Sequence, residues 1–240
     1  MTPLTCVSRH AARFRSLTFS SQEYFQTLLS LIHVDYLVPG LQDIAQVNTQ
    51  DWIANLLSGF VTSADTGNED LVIASRAALT GFCGASPENL ELVCSSLLQN
   101  LKSYQGEDRI LVPTLEMIAF LFHVGIFQRS RGVSMRSLCL QAQKAGYKTG
   151  NVRKIEASIK VYGGVAGAGL GAEEDGPQEA RRRLGALLFH PWPKVRTTVV
   201  DELWNCTTHE DAPRDRLLGV DWGKARKDEI KAVVQELQLQ

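Results

Sequence analysis

Apolar residues recur at helical spacing along most of the chain. Tyr24, Phe25, Leu28, Leu29 and Ile32 share one face of a helix that Ser21 can cap. Pro39 and Gly40 break the pattern, and Thr49 can cap a second helix carrying Trp52, Ile53, Leu56, Leu57 and Phe60. Residues 63–67 read as a loop. Asn68 is placed to cap the next helix, with Glu69 and Asp70 in its first turn and Leu71, Val72, Ser75, Ala78, Leu79 and Phe82 on its inner face. Gly84 ends it. Ser86-Pro87-Glu88 starts another, because serine caps while proline takes the first helical position, where no N–H is missed. Leu90, Val93, Cys94, Leu97, Leu98 and Leu101 form its buried stripe.

Two adjacent apolar rows lie beyond Gly106: Ile110, Thr114, Met117, Leu121 and Leu111, Leu115, Ile118, Phe122. A helix with two such rows lies between neighbours, and Pro113 is expected in its first turn, since deeper placement would kink it. Further helices are expected over 135–145, 151–161 and 178–189. His190-Pro191-Trp192-Pro193 reads as a stiff corner. Pro193 opens a helix with Val195, Val199, Val200, Leu203 and Trp204 inward, and a last helix over about 223–237 turns Ile230, Val233, Val234 and Leu237 to one side.

No stretch alternates with period two. Helices in series with short links predict an all-α fold, a HEAT/armadillo-like α-solenoid of antiparallel helix pairs. Pro193-Lys194-Val195-Arg196 is similar to the HEAT pattern, in which the valine packs inward and the arginine bonds to the neighbouring inter-helix turn. The helical-repeat domain is expected over 21–240, with the glycine-rich stretch from Gly163, through Glu173, Glu174 and Asp175, to Pro177 as a flexible loop. Residues 1–20 carry Arg9, Arg13 and Arg15 and no acid. They read as a poorly ordered start segment, with a transit peptide as the alternative.

Composition changes this picture little. Of 240 residues, 44% are hydrophobic and 21% charged, enough to bury a sizeable core. The formal net charge of -1 argues against nucleic acid as the main partner. The longest apolar run, 118–127, is broken by His123 and too short for a bilayer, so no membrane partner is expected. Cys6, Cys83, Cys94, Cys139 and Cys206 are scattered and without a Cys-x-x-Cys pair, which fits a reducing cytosol better than a disulfide framework or zinc site. Asn205-Cys206-Thr207 would be glycosylated only in a secreted protein.

Four motifs touch on chemistry. Gly167, Gly169 and Ala172 fit a relaxed dinucleotide pattern with residues 159–162 posing as its strand, but Glu173, Glu174 and Asp175 would repel a pyrophosphate. Asp65-Thr66-Gly67 matches an aspartic-protease triplet flanked by helices, where a turn is the simpler reading. Residues 219–225 resemble a phosphate loop one residue short, without its Ser or Thr. His10, His33, His123, His190 and His209 never fall at metal-ligand spacing. No catalytic residue, metal or cofactor is therefore assigned, and the chain reads as a binder. Two basic clusters, Arg181-Arg182-Arg183 and Lys224, Arg226, Lys227, are solvated helix faces or docking points for an acidic protein surface.

Several segments together resemble the C-terminal region of the tubulin-folding cofactor D family. They are 24–31, 59–63 with 69–79, Arg109-Ile110-Leu111-Val112-Pro113-Thr114-Leu115, His190-Pro191-Trp192-Pro193-Lys194-Val195-Arg196 and 216–220. They occur in the family's order and span 24–220. Family members are several times longer, so the resemblance implies a C-terminal piece. It further implies a cytoplasmic, microtubule-associated chaperone module that is not an enzyme. Such a module captures β-tubulin and assembles or takes apart the αβ-tubulin dimer with cofactors C and E and an Arf-like small GTPase. Trp192, Lys194 and Arg196 are the candidate partner-binding residues. A generic HEAT-type adaptor for another client is the alternative, and a nucleotide-dependent enzyme using the stretch 163–171 a lesser one.

Overall fold

Capping and apolar spacing place the helices of the computed structural model, which describes residues 26, 59–61, 69–146, 149–169, 175–206 and 214–239. They are α1 (Glu69–Ala85), α2 (Pro87–Ser103), α3 (Asp108–His123), α4 (Met135–Gly146), α5 (Val152–Ala166), α6 (Asp175–Leu187), α7 (Pro193–Cys206) and α8 (Lys227–Glu236), with 3-10 turns at Phe127–Arg129 and Arg214–Leu217. No strand occurs among the described residues. The two helices expected ahead of α1 lie almost wholly outside the described residues; residue 26 and residues 59–61 are helical.

Ser86 caps α2 as its sequence demands: its backbone is extended and its hydroxyl accepts the Asn89 N–H at 3.1 Å. Asn151 caps α5 in the same way through the Lys154 N–H at 3.3 Å. Both rows of α3 are inward, with Leu111, Leu115, Ile118 and Leu121 fully buried. Pro113, expected in the first turn, instead lies in the second turn of α3. Its missing N–H leaves the Arg109 carbonyl without an intrahelical donor; Arg109 is exposed, so water can satisfy it.

The helices form two rows. At one end of α3 and α5, Asp108 accepts from Asn151 Nδ2 at 2.9 Å and from the buried Lys154 ammonium at 2.6 Å. At the other end, Phe122 meets Gly164. The two helices therefore run parallel. The same holds for α5 and α7, joined by Lys194–Glu156 at 2.9 Å near their starts and by Gly167 against Cys206 near their ends. In the second row, Glu91 of α2 accepts from Ser130, Arg131 and Gly132 in the turn leading to α4, and Arg136 of α4 pairs with Asp175 of α6 at 3.0 Å. α5 packs against α3, α4, α6 and α7, and a continuous apolar core joins both rows.

The glycine-rich stretch departs from expectation. The loop expected from Gly163 begins only at Gly167, because α5 runs on to Ala166. At Gly163 a Cβ would lie 2.9 Å from Glu202 Cβ of α7, and at Gly164 one would lie 2.5 Å from the Phe122 ring of α3. These glycines allow helices to close on α5 from both sides. At the far end of the expected loop, Asp175, Gly176 and Pro177 form the first turn of α6, which tolerates proline. α6 thus starts ahead of residue 178, and α8 starts at Lys227 rather than near 223.

In an open helix interior, Gly→Ala gains about 1 kcal/mol; overpacking costs about 1–3 kcal/mol. Gly164→Ala is accordingly expected to lose stability by about 1–2 kcal/mol in denaturant unfolding. An unchanged or raised midpoint would mean that α3 and α5 are not packed this closely.

Candidate functional site

α6 ends at Leu187, and the chain turns through Phe189 and His190 before Pro193 opens α7. The Trp192 N–H donates to His190 Nδ1 at 3.2 Å, and the two rings meet edge to face with centroids 5.0 Å apart. Nδ1 is an acceptor here, so the neutral imidazole carries its proton on Nε2. Burial, reinforced by the Arg196 charge, holds His190 below its ordinary 6.5. Protonation would remove the lone pair that Trp192 uses. The Trp192 carbonyl in turn accepts the Val195 and Arg196 N–H groups at 3.1 and 3.3 Å, starting α7.

Arg196 binds this corner to the next turn of the chain. It is 8% exposed. Its Nε donates to the Trp222 carbonyl at 2.7 Å and Nη2 to Gly223 at 3.1 Å; Nη1 donates to His190 at 2.7 Å and Pro191 at 3.1 Å. One planar guanidinium thus holds four carbonyl oxygens from two turns, a geometry lysine cannot match. Trp222 is itself buried and donates its indole N–H to the Leu217 carbonyl at 2.7 Å.

Of the three candidate contact residues, Trp192 is 38% exposed and Lys194 reaches out with its ammonium on Glu156 at 2.9 Å. Arg196 lies beneath them, with its guanidinium engaged in holding the turns. Its bonds reach the turn before α7 and the turn ahead of α8. The basic cluster on α6 divides: Arg181 and Arg182 are exposed, while Arg183 is buried and pairs with Glu179. Lys224, Arg226 and Lys227 are exposed, and Arg226 pairs with Glu229 at 3.4 Å.

Sequence reasoning missed two partners in this region. Trp222 sits inside a stretch whose glycines and lysine point only to phosphate-loop chemistry, and an aromatic in a turn is its sole signal. Glu202 has none. It lies between α7 and α5 against Gly163, where burial and neighbouring Asp201 outweigh Lys160 and push its carboxyl up to about 7.

The other candidate chemistry resolves as packing. Residues 159–162, posed as the strand before a dinucleotide loop, are helical, and Gly167 caps the C-terminus of α5. A pyrophosphate needs the opposite, a helix N-terminus. Burial raises the thiols of Cys83 and Cys139 to about 12, so they stay protonated. No group of His, Cys, Asp or Glu among the described residues could hold a metal, and no described helix is long and apolar enough to cross a membrane. Asp65-Thr66-Gly67 lies outside the described residues.

A family model described as "Tubulin folding cofactor D C terminal" matches residues 7–154. The match begins ahead of the resemblance noted from Tyr24 and stops short of the corner at 190–196. Neither a curated protein nor a solved structure matches the chain.

Arg196→Ala is expected to cost on the order of 3 kcal/mol, since four carbonyls lose a charged donor, and Arg196→Lys should recover only part of it. Thermal melts read both; an alanine variant melting with the wild type would refute the clamp. Glu202 carries an opposite, pH-dependent signature. Its folded pKa is raised from 4.5 to about 7, so the stability it permits is complete below about 4.5 and is lost as pH rises through 7. Glu202→Gln should therefore gain roughly 2 kcal/mol over wild type at pH 8, allowing for solvent screening, and little at pH 4. A pH-independent difference in unfolding free energy would rule out a perturbed carboxyl.

Proposed function

The chain belongs to the family of the tubulin folding cofactor D C-terminal region, and we propose that it acts as a tubulin-binding chaperone module. Its function is related to that of tubulin folding cofactor D, a chaperone and not a classical enzyme. The family match over residues 7–154 carries the proposal. In this reading the module captures β-tubulin and helps assemble or dissociate the αβ-tubulin dimer. It works in the cytoplasm, on the microtubule cytoskeleton, alongside cofactors C and E and an Arf-like small GTPase. GTP hydrolysis belongs to tubulin or to that GTPase, and this chain supplies surface and rigidity.

The architecture we infer is a HEAT/armadillo-like solenoid of antiparallel pairs. Support comes from the two rows, α3-α5-α7 and α2-α4-α6, in which each helix packs on the next member of its row, and from the packing of α2 on α3, α4 on α5, α5 on α6 and α6 on α7 across them. The corner at 189–196 is the contact point we favour, with Trp192 and Lys194 at its surface and Arg196 setting its shape. A generic adaptor for another client would use the same scaffold.

Size-exclusion chromatography with purified αβ-tubulin separates the two. A chaperone module comigrates with tubulin; a correctly folded chain that elutes apart from tubulin, alone or with cofactors C and E, returns the question to the adaptor reading.

A further inference from the structure

We propose that Ser134, at the start of α4, is a phosphorylation site for an arginine-directed serine kinase, and that its phosphate strengthens the cap of α4. The inference stands on this turn alone and does not depend on the chaperone-module reading.

The sequence supplies the recognition. Arg129 and Arg131 stand five and three residues ahead of the serine in Arg129-Ser130-Arg131-Gly132-Val133-Ser134-Met135. Arginine-directed kinases carry acidic pockets that read guanidinium groups at this spacing from the serine. The same spacing relates Arg13 and Arg15 to Thr18, which lies outside the described residues.

The structure supplies the access. Residues 130–134 lie outside any helix, between the 3-10 turn at Phe127–Arg129 and α4. Arg129, Arg131 and Ser134 are all exposed, whereas Ser130 is buried and Ser137 half-buried. Neither Arg129 nor Arg131 forms an ion pair among the described residues. Glu91 reaches this turn but accepts from the Ser130 hydroxyl and from the Arg131 and Gly132 backbone N–H groups. Glu88 lines the same shallow groove as Arg131 and is in no ion pair either. Both guanidinium groups are thus left for a partner's carboxylates.

The start of α4 is suited to the product. The Ser134 hydroxyl accepts the Ser137 N–H at 3.2 Å, and its carbonyl accepts the Leu138 N–H at 3.0 Å. The first turn of α4 holds no acid, and Arg136 lies in it, the reverse of what the helix dipole favours. A phosphate on Ser134 brings the missing negative charge to the free N–H groups of that turn and stands two residues from the Arg136 guanidinium. Asp175 now pairs with Arg136 at 3.0 Å, but both side chains are well exposed, so sharing this cation costs little. In the transfer itself the Ser134 hydroxyl oxygen attacks the γ-phosphorus of magnesium-bound ATP and its proton passes to the kinase's carboxylate base. The bond to the ADP oxygen breaks, leaving phosphoserine and ADP.

The test incubates the whole folded chain with the kinase domain of protein kinase B and magnesium-ATP, and maps phosphate by mass spectrometry. Phosphate is expected on Ser134, and Ser134→Ala should remove it. Arg131→Ala and Arg129→Ala should each slow its addition about tenfold, the charge of a desolvated guanidinium pair being lost. Both arginines are exposed, and unchanged circular dichroism confirms the fold of each variant. Treated wild type should melt about 2 °C above its untreated sample, while treated Ser134→Ala melts with its own. The proposal is overturned by phosphate on Thr18, Ser130 or Ser137 with none on Ser134, by no incorporation at all, or by a Ser134 rate that ignores both arginines. Phosphorylated wild type that melts with or below the unmodified chain overturns it as well.

Discussion

Close approach at α5 is the constraint on which the rest of the structure depends. This helix packs against α3, α4, α6 and α7, so both rows are referenced to it. At its start, Asn151 both caps it and donates to Asp108, while the buried Lys154 takes the other oxygen of the same carboxylate. At its end, Gly163 and Gly164 have no Cβ where Glu202 and Phe122 press in. Polar bonds fix one end and missing side chains the other. Between them, register along the helix is set.

The corner inherits its position from that packing. α7 lies along α5 with Lys194 on Glu156 at one end and Glu202 on Gly163 at the other, and Arg196 projects from its first turn. A guanidinium that far inside needs its donors satisfied, and carbonyls from two turns do so without a counter-ion. Elsewhere the interior handles charge differently. Between α4, α5 and α6, Arg183 is buried against Glu179 and beside Tyr162, whose hydroxyl burial drives upward in pKa. That ion pair is internally neutral and faces the core. The Arg196 guanidinium is met instead by four carbonyl oxygens of the two turns it joins.

Much of the fold was legible in the residue pattern. Ser86-Pro87 marks the start of α2 because caps act locally, and the double apolar row of α3 reports its burial because helical period alone sets which residues share a face. The illegible parts depend on neighbours far along the chain. Gly163 and Gly164 read as a loop because glycine is a breaker unless another helix demands its missing side chain. Pro113 reads as a first-turn residue because local rules do not say where α3 starts upstream of it. For the candidate site, the stiffness of 190–193 and the inward valines are visible in the sequence. The partners of the Arg196 guanidinium at Trp222 and Gly223, far along the chain, are not. Exposure of Trp192 and the raised Glu202 carboxyl are tertiary properties with no local signal.

Hydrogen–deuterium exchange of the whole chain, with and without αβ-tubulin, tests the central claim most directly: α5 is the fixed reference of a rigid scaffold whose α6–α7 corner meets the partner. The account predicts the slowest amides within Val152–Ala166 in both states, with added tubulin slowing exchange in the corner at 189–196. Exchange across α5 as fast as at the chain's periphery, or tubulin protection falling entirely away from the corner, would contradict it.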